Sequence, residues 1–443
     1  MRITIVGGGI SGLTAAHLYA ARGHDVTLLD AAAQPGGLIA SERRDGFLCE
    51  RGPQAVLDGP EETRALIASA GLSARALQAA TAARRRFVYV GGALRPFPAS
   101  PPALLKTDLL SAGAKLRLLA EPFVGRAAGD ESVLAFVTRR FGREAAERAA
   151  APALIGVFAG DAAALSIRAA LPRVAALERE HGSILRGLMR RKKQGGPGLG
   201  RPVSFPDGLG ELPAALARSL GARRREARVM EIAPLAGGWR VVTAAGAALE
   251  TERLVLATPA GISAALLAPL APDAAAALRA IPHAPVAVVC LGFRSAAGLG
   301  VDLDAYGFVV ARGEGVGLLG CQYETSVFSH RAPEGGALMR ALLGGTFDPA
   351  LVDADDHTIA AQAIGDLRRA AGLARDPDFV DVWRARPGIP QYDLAHGDRI
   401  RAVDDALARL PGLAVIGNAL RGVGVNDGIA AATRLVSTHD AET

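Results

Sequence analysis

Cysteine is scarce. Cys49, Cys290 and Cys321 are odd in number and widely spaced, which fits neither a disulfide framework nor a zinc pattern and points to a reducing compartment. No apolar run reaches the about 18 residues that a membrane span needs. No basic run is interleaved with aromatics, so nucleic acid is not an expected partner. There is no lysine after Lys193, and the chain shows no nucleophile triad, no metal-ligand cluster and no evident acid–base pair. The first strand-like run starts at Ile3, so a signal peptide is not expected and the expected location is cytoplasmic.

What is present is a globular composition: half of the 443 residues are hydrophobic, enough for two or three domains with their own cores. The net charge of +6 comes mostly from arginine and leans towards an anionic substrate or a membrane surface. The informative stretch is Ile3-Thr-Ile-Val-Gly7-Gly8-Gly9-Ile10-Ser11-Gly12, followed by a helical Ala/Leu pattern and a second β-run, Asp25 to Asp30. With 53 glycines a bare GxGxxG arises easily by chance. Strand before, helix after and a carboxylate at the end of the next strand make it a dinucleotide half-fold. Gly7 allows the turn, Gly9 lets backbone approach a pyrophosphate, and Gly12 lets the helix lie close on the sheet. Asp30 is set to hold a ribose diol and repels a 2′-phosphate, which favours FAD or NAD over NADP.

Past Asp30, Gly36-Gly37-Leu38 lies on a loop, and Gly46-Phe-Leu-Cys-Glu50-Arg-Gly52-Pro53-Gln54-Ala55 reads as a strand entering a tight turn. Both resemble the flavin-dependent amine oxidase superfamily, in which the second turn lies along the isoalloxazine ring. Near the end, Gly417-Asn418-Ala-Leu-Arg-Gly422-Val423-Gly424-Val425-Asn-Asp427 again puts glycines before an apolar helix. Two separated glycine-rich helix starts suit one long FAD better than one NAD. The resemblance implies that these residues bind FAD, with Val229 meeting the adenine through its backbone.

Arg84-Arg-Arg86-Phe-Val-Tyr-Val-Gly-Gly-Ala-Leu reads as a hairpin and resembles protoporphyrinogen oxidases. So do Phe158 to Arg168, Glu178 to Gly187, Ser204 to Leu212, Leu254 to Ala260, Gly388-Ile-Pro-Gln-Tyr-Asp-Leu-Ala-His396 and Ile416 to Asp427, over nearly the whole chain. The resemblance implies oxygen-dependent six-electron oxidation of protoporphyrinogen IX to protoporphyrin IX, with FAD doing the hard step, which explains the missing acid–base machinery. It implies substrate contacts from Arg86, pairing with a propionate, from Gly156, and from Phe308 and Leu342 on the macrocycle. Three departures stand out: Asp30 replaces the usual Glu, the stretch after Phe308 is short, and Gly428 occupies a position where cysteine is frequent. A coproporphyrinogen III oxidase of the same fold remains open. An amine oxidase or carotenoid desaturase fits less well, since amine oxidases often use a lysine beside the flavin. A carrier retaining FAD for structure is the non-enzymatic reading.

The expected fold is α/β: a Rossmann-like FAD-binding domain (1–80, 206–281 and 400–443), an inserted α+β substrate domain (81–100 and 282–399), and a mostly helical, membrane-associated domain (101–205). Helices are expected at 61–79, 209–220 and 357–372. Leu105, Leu109, Ala112, Leu116, Leu119 and Phe123 recur at helical spacing, and a basic cluster runs from Arg186 to Lys193. Such a surface packs on its own core or lies peripherally on anionic lipid, and the resemblance implies the latter, at the cytoplasmic face. Lys193 to Pro202 reads as an exposed linker. A homodimer is compatible with all of this.

Overall fold

The computed structural model describes residues 1–98, 103, 106–193 and 200–442. Its first sheet is parallel and five-stranded, ordered Arg224–Glu226, β2 (Asp25–Asp30), β1 (Arg2–Val6), Arg253–Leu256 and Leu413–Val415. Segments from both ends and the middle of the chain therefore share one sheet. Ile3, Ile5, Val26, Leu28 and Val255 face helix α1 (Ile10–Ala21) and the C-terminal helix Val425–Glu442, while Val6, Leu29, Leu254 and Leu256 face the helices Ala260–Leu267 and Pro272–Arg279. Covering both faces is what lets these strands be apolar without alternation. A three-stranded antiparallel meander, Val229–Leu235, Gly238–Thr243 and Ala248–Thr251, precedes the fourth strand. It is anchored where Trp239 Nε1 donates to Pro411 O at 3.1 Å.

The second sheet has seven strands, ordered Phe379–Pro390, His283–Phe293, Ala337–Gly344, Leu318–Tyr323, Gly307–Val310, Arg86–Val90 and Ala93–Pro96. Only Arg86–Val90 and Gly307–Val310 pair in parallel. Helix Asp356–Ala371 covers one face. Between the two parts of this sheet come short helices, among them Ala112–Leu119, Val133–Phe141, Ala151–Phe158, Pro172–His181 and Ile184–Lys193. Arg140 and Glu121, both fully buried, bind at 3.0 Å at their centre. Glu121 also accepts from Ile184 N at 2.9 Å and Ser183 Oγ at 2.5 Å, capping the last of these helices.

Two expectations are corrected. The helix expected over 61–79 is Glu61–Ser69 only; Gly71 takes a left-handed φ of 73°, and Leu77–Gln78 pairs as a strand with Pro202–Ser204. The repeat from Leu105 to Phe123 is not one apolar stripe: Leu109 is buried, Leu116, Leu119 and Phe123 are exposed, and a 3-10 turn, Glu121–Phe123, follows helix Ala112–Leu119. Leu105 and residues 194–199 of the expected linker lie outside the described residues.

Candidate active site

The glycine loop is built by close approach. Gly7 turns at φ 109° as its N–H bonds Leu29 O at 2.8 Å, and a Cβ on Gly12 would stand 2.0 Å from Gly7 O. The Asp30 carboxylate crosses Gly8, where a Cβ would fall 1.9 Å from it. Arg224 stands 3.9 Å from that carboxylate, and Ala227 N donates to Asp30 O at 2.8 Å, which brings Val229 beside Leu29 and Val6. Gly9 differs from these neighbours: a Cβ there meets nothing within 4 Å. No side chain caps α1, so its first N–H groups open on that same space. An uncapped helix end over a side-chain-free approach fits a pyrophosphate.

The other expected cofactor segments gather round this end. Gly36 N donates to Gly8 O at 2.8 Å, and a Cβ on Gly37 would touch Gly9 Cα at 3.3 Å. Gly52 lies so close to Leu38 that a Cβ would sit 1.9 Å from its carbonyl oxygen. The C-terminal helix crosses α1 where Gly428 meets Ser11, with only 2.8 Å between a Cβ and Ser11 Oγ. That crossing accounts for glycine at 428. Asn426 clamps Leu57 from both sides, accepting from its N–H at 2.9 Å and donating to its O at 2.8 Å, so the C-terminal loop is tied to the turn at 52–55.

Beneath this turn lies a buried ionic cluster that the sequence reading missed. Arg331 binds Glu50 at 3.0 Å, Gln54 O at 2.9 Å and Ser204 Oγ at 3.2 Å, and pairs with Glu324. Arg340 reaches Glu324 at 3.0 Å and donates to Gly52 O and, at 3.4 Å, to Glu50 O. The carbonyls of Glu50, Gly52 and Gln54 are thus all drawn towards arginines, which fixes the turn. Burial pushes the Glu50 carboxyl pKa up, and Arg331 opposes this. The available signal was Arg340 itself, a charge inside the apolar run Ala337 to Leu343.

Rows of the seven-stranded sheet alternate between its faces. Arg86, Gly307, Gln322, Arg340, Cys290 and Asp381 form one row. Two residues further, on the same face, come Val88, Val309, Gly320, Leu342, Val288 and Trp383. A polar row against the turn at 50–54 is therefore followed by an apolar one. Gly156 sits over the latter, its Cβ position 3.2 Å from Val309. Arg86 is exposed, stacked 4.9 Å from the Tyr306 ring centre, and among the described residues no carboxylate pairs with it. The Tyr306 hydroxyl lies 2.7 Å from the Gln54 amide, whose nitrogen then faces Glu324 at 2.8 and 2.9 Å.

Phe308 is the correction here. It belongs to the intervening row with Phe87, Cys321 and Ala341 and is buried under helix Asp356–Ala371, edge-on to Tyr323 at 6.3 Å. It cannot share a surface with Leu342. The residue that does is Val309.

The fold and this loop geometry define a dinucleotide-binding protein. The sequence profile of the flavin containing amine oxidoreductase family matches residues 10–436, and the chain belongs to that family, with FAD as its cofactor. It is 27% identical to coproporphyrinogen III oxidase of Bacillus subtilis (strain 168) over 96% of this chain and 95% of that one. To chloroplastic protoporphyrinogen oxidase of Oryza sativa subsp. japonica it is 32% identical, over 95% and 84%. A crystal structure from Exiguobacterium sp. 255-15, named provisionally as a protoporphyrinogen oxidase, superposes with a TM-score of 0.84 at 27% identity over 100% and 99% of the two chains.

Proposed function

We propose that this chain oxidises a porphyrinogen to the porphyrin, protoporphyrinogen IX to protoporphyrin IX by removal of six electrons, with molecular oxygen as acceptor. The observation that carries the reading is the two-row sheet face, an unpaired arginine beside an apolar strip, set against the turn at 50–54. Bound FAD supplies the redox chemistry. It would be held by residues 7–12, Asp30, 36–38, 52–55, Val229 and 417–425. The protein's own part is orientation: Arg86 offers a planar fork to a propionate, and Val309, Leu342 and Gly156 would meet the macrocycle.

Arg86→Ala should raise KM about 10- to 100-fold, the worth of a charge-assisted bond, with kcat and FAD content little changed. Unchanged steady-state kinetics would remove Arg86 from the site. Val309→Ala and Leu342→Ala should impair turnover. Phe308→Ala should instead cost stability, about 3–5 kcal/mol, and leave KM near its starting value. Kinetics and denaturation midpoints measured on the same preparations separate the two patterns.

Coproporphyrinogen III is the second reading, favoured by the name of the Bacillus relative, whose length this chain nearly matches. Its carboxylates surround the macrocycle, whereas those of protoporphyrinogen IX lie along one edge. Arg86, which no carboxylate among the described residues pairs with, stands at one edge of the face and supports the latter.

A peripheral membrane contact at the cytoplasmic face belongs to the same proposal, with the helical part between residues 101 and 205 as the contacting domain and the two sheets as FAD and substrate domains. Leu116, Leu119, Phe123, Leu188 and Met189 are exposed beside Lys115, Arg117, Arg186 and Arg190. Glu121, capping the helix of Leu188, joins the two apolar patches. No helix among the described residues is long and apolar enough to cross a membrane, so such contact would be lateral.

A further inference from the structure

The segment Gly388 to His396 would hold neither cofactor nor substrate, yet it touches both halves of the site. Tyr392 is buried, and its hydroxyl donates to Asn418 O and accepts from Gly422 N–H at 2.8 Å. Its ring stacks on His396, centres 4.0 Å apart at 19°, and meets Phe158 edge-on at 5.8 Å. His396 Nε2 lies 2.8 Å from Leu420 O. A carbonyl only accepts, so Nε2 carries the proton, and burial pushes the imidazole pKa down. The residue before, Gln391, donates to Phe158 O at 2.8 Å. It packs so tightly on Gly160 that a Cβ there would fall 2.0 Å from Gln391 Oε1.

Three backbone groups of the C-terminal loop, Asn418 O, Leu420 O and Gly422 N–H, are thus committed to this segment, and so is the last turn of the helix carrying Gly156. We propose that residues 391–396 form a clasp, with Tyr392 as its positioning residue, that fixes the loop at 417–424 against the substrate-side helix and so sets how the loop's dipoles meet the flavin. The proposal rests on the reading above that residues 417–425 would hold FAD, and takes their contact to be the flavin's pyrimidine edge, where negative charge gathers on reduction.

Tyr392→Phe tests it, since the ring and both its stacking contacts remain while Asn418 O and Gly422 N–H lose their buried partner. The measurement is the flavin reduction potential, read by slow reduction against a reference dye, with no porphyrinogen present. Tyr392→Phe should favour the oxidised form at a fixed poise by about tenfold, or about 30 mV for two electrons. His396→Gln should move it the same way, and serves should Tyr392→Phe fail to fold. A tyrosine that only fills the core would leave the potential of Tyr392→Phe at the wild-type value, and that result would overturn the proposal. Wild-type protein purified without any flavin would instead overturn the reading beneath it.

Discussion

Gly9→Val should give a folded protein that holds no FAD. At the other glycines of the loop a side chain collides with the protein itself: the Cβ of residue 12 would meet Gly7 O at 2.0 Å, and that of residue 8 would meet the Asp30 carboxylate at 1.9 Å. At Gly9 it meets nothing within 4 Å, and the backbone there is extended, φ −73° and ψ 177°, which valine adopts without strain. The space is free of protein because it lies over the N–H groups of α1, where the pyrophosphate would sit. The variant's melting curve without flavin should match that of stripped wild type within about 1 kcal/mol, the scale of a tolerated surface change. Its flavin-to-protein absorbance ratio should fall to near zero. Gly12→Val should lose both fold and flavin. A yellow Gly9→Val protein would mean that the loop is not the phosphate site.

Arg331→Met should be strongly destabilising. Its guanidinium is fully buried between Glu50 and Glu324 and also holds Gln54 O and Ser204 Oγ. Removing one partner strands charges away from water, at about 3–5 kcal/mol. That is a large share of the about 5–15 kcal/mol by which domains are stable. Adding Glu50→Gln and Glu324→Gln should recover part of the loss by removing both stranded charges. Denaturant midpoints of the flavin-loaded proteins measure this, and equal midpoints for wild type and Arg331→Met would show that the cluster does not hold the turn.

The parts of the site legible in the sequence are those where backbone itself approaches backbone or ligand. Gly7, Gly9 and Gly12, the pair Gly36-Gly37 and the loop at 417–424 are each dictated by local geometry, and local geometry leaves a local pattern. Arg331 does not: its partners Glu50 and Gln54 lie 281 and 277 residues away, and around it the chain reads as a polar surface turn. Phe308 shows another limit. Gly307-Phe-Val-Val310 is apolar throughout because both faces of the sheet are covered, so no alternation marks which residue faces the site. Only register against Arg86–Val90 and Leu318–Tyr323 assigns Val309 to it. The residues from Leu109 to Phe123 recur at helical spacing, but the spacing spans a helix end and a 3-10 turn, so its members do not share one face.

The proposed porphyrinogen site is the sheet face set against the turn at 50–54. It is tested most directly by mixing the purified protein anaerobically with protoporphyrinogen IX or coproporphyrinogen III, then admitting oxygen while recording flavin absorbance and porphyrin fluorescence. Bleaching of the flavin is expected, faster with protoporphyrinogen IX, with recovery of colour and porphyrin fluorescence in air. Faster bleaching with coproporphyrinogen III would select the second substrate, and a flavin that neither porphyrinogen bleaches would contradict a porphyrinogen site.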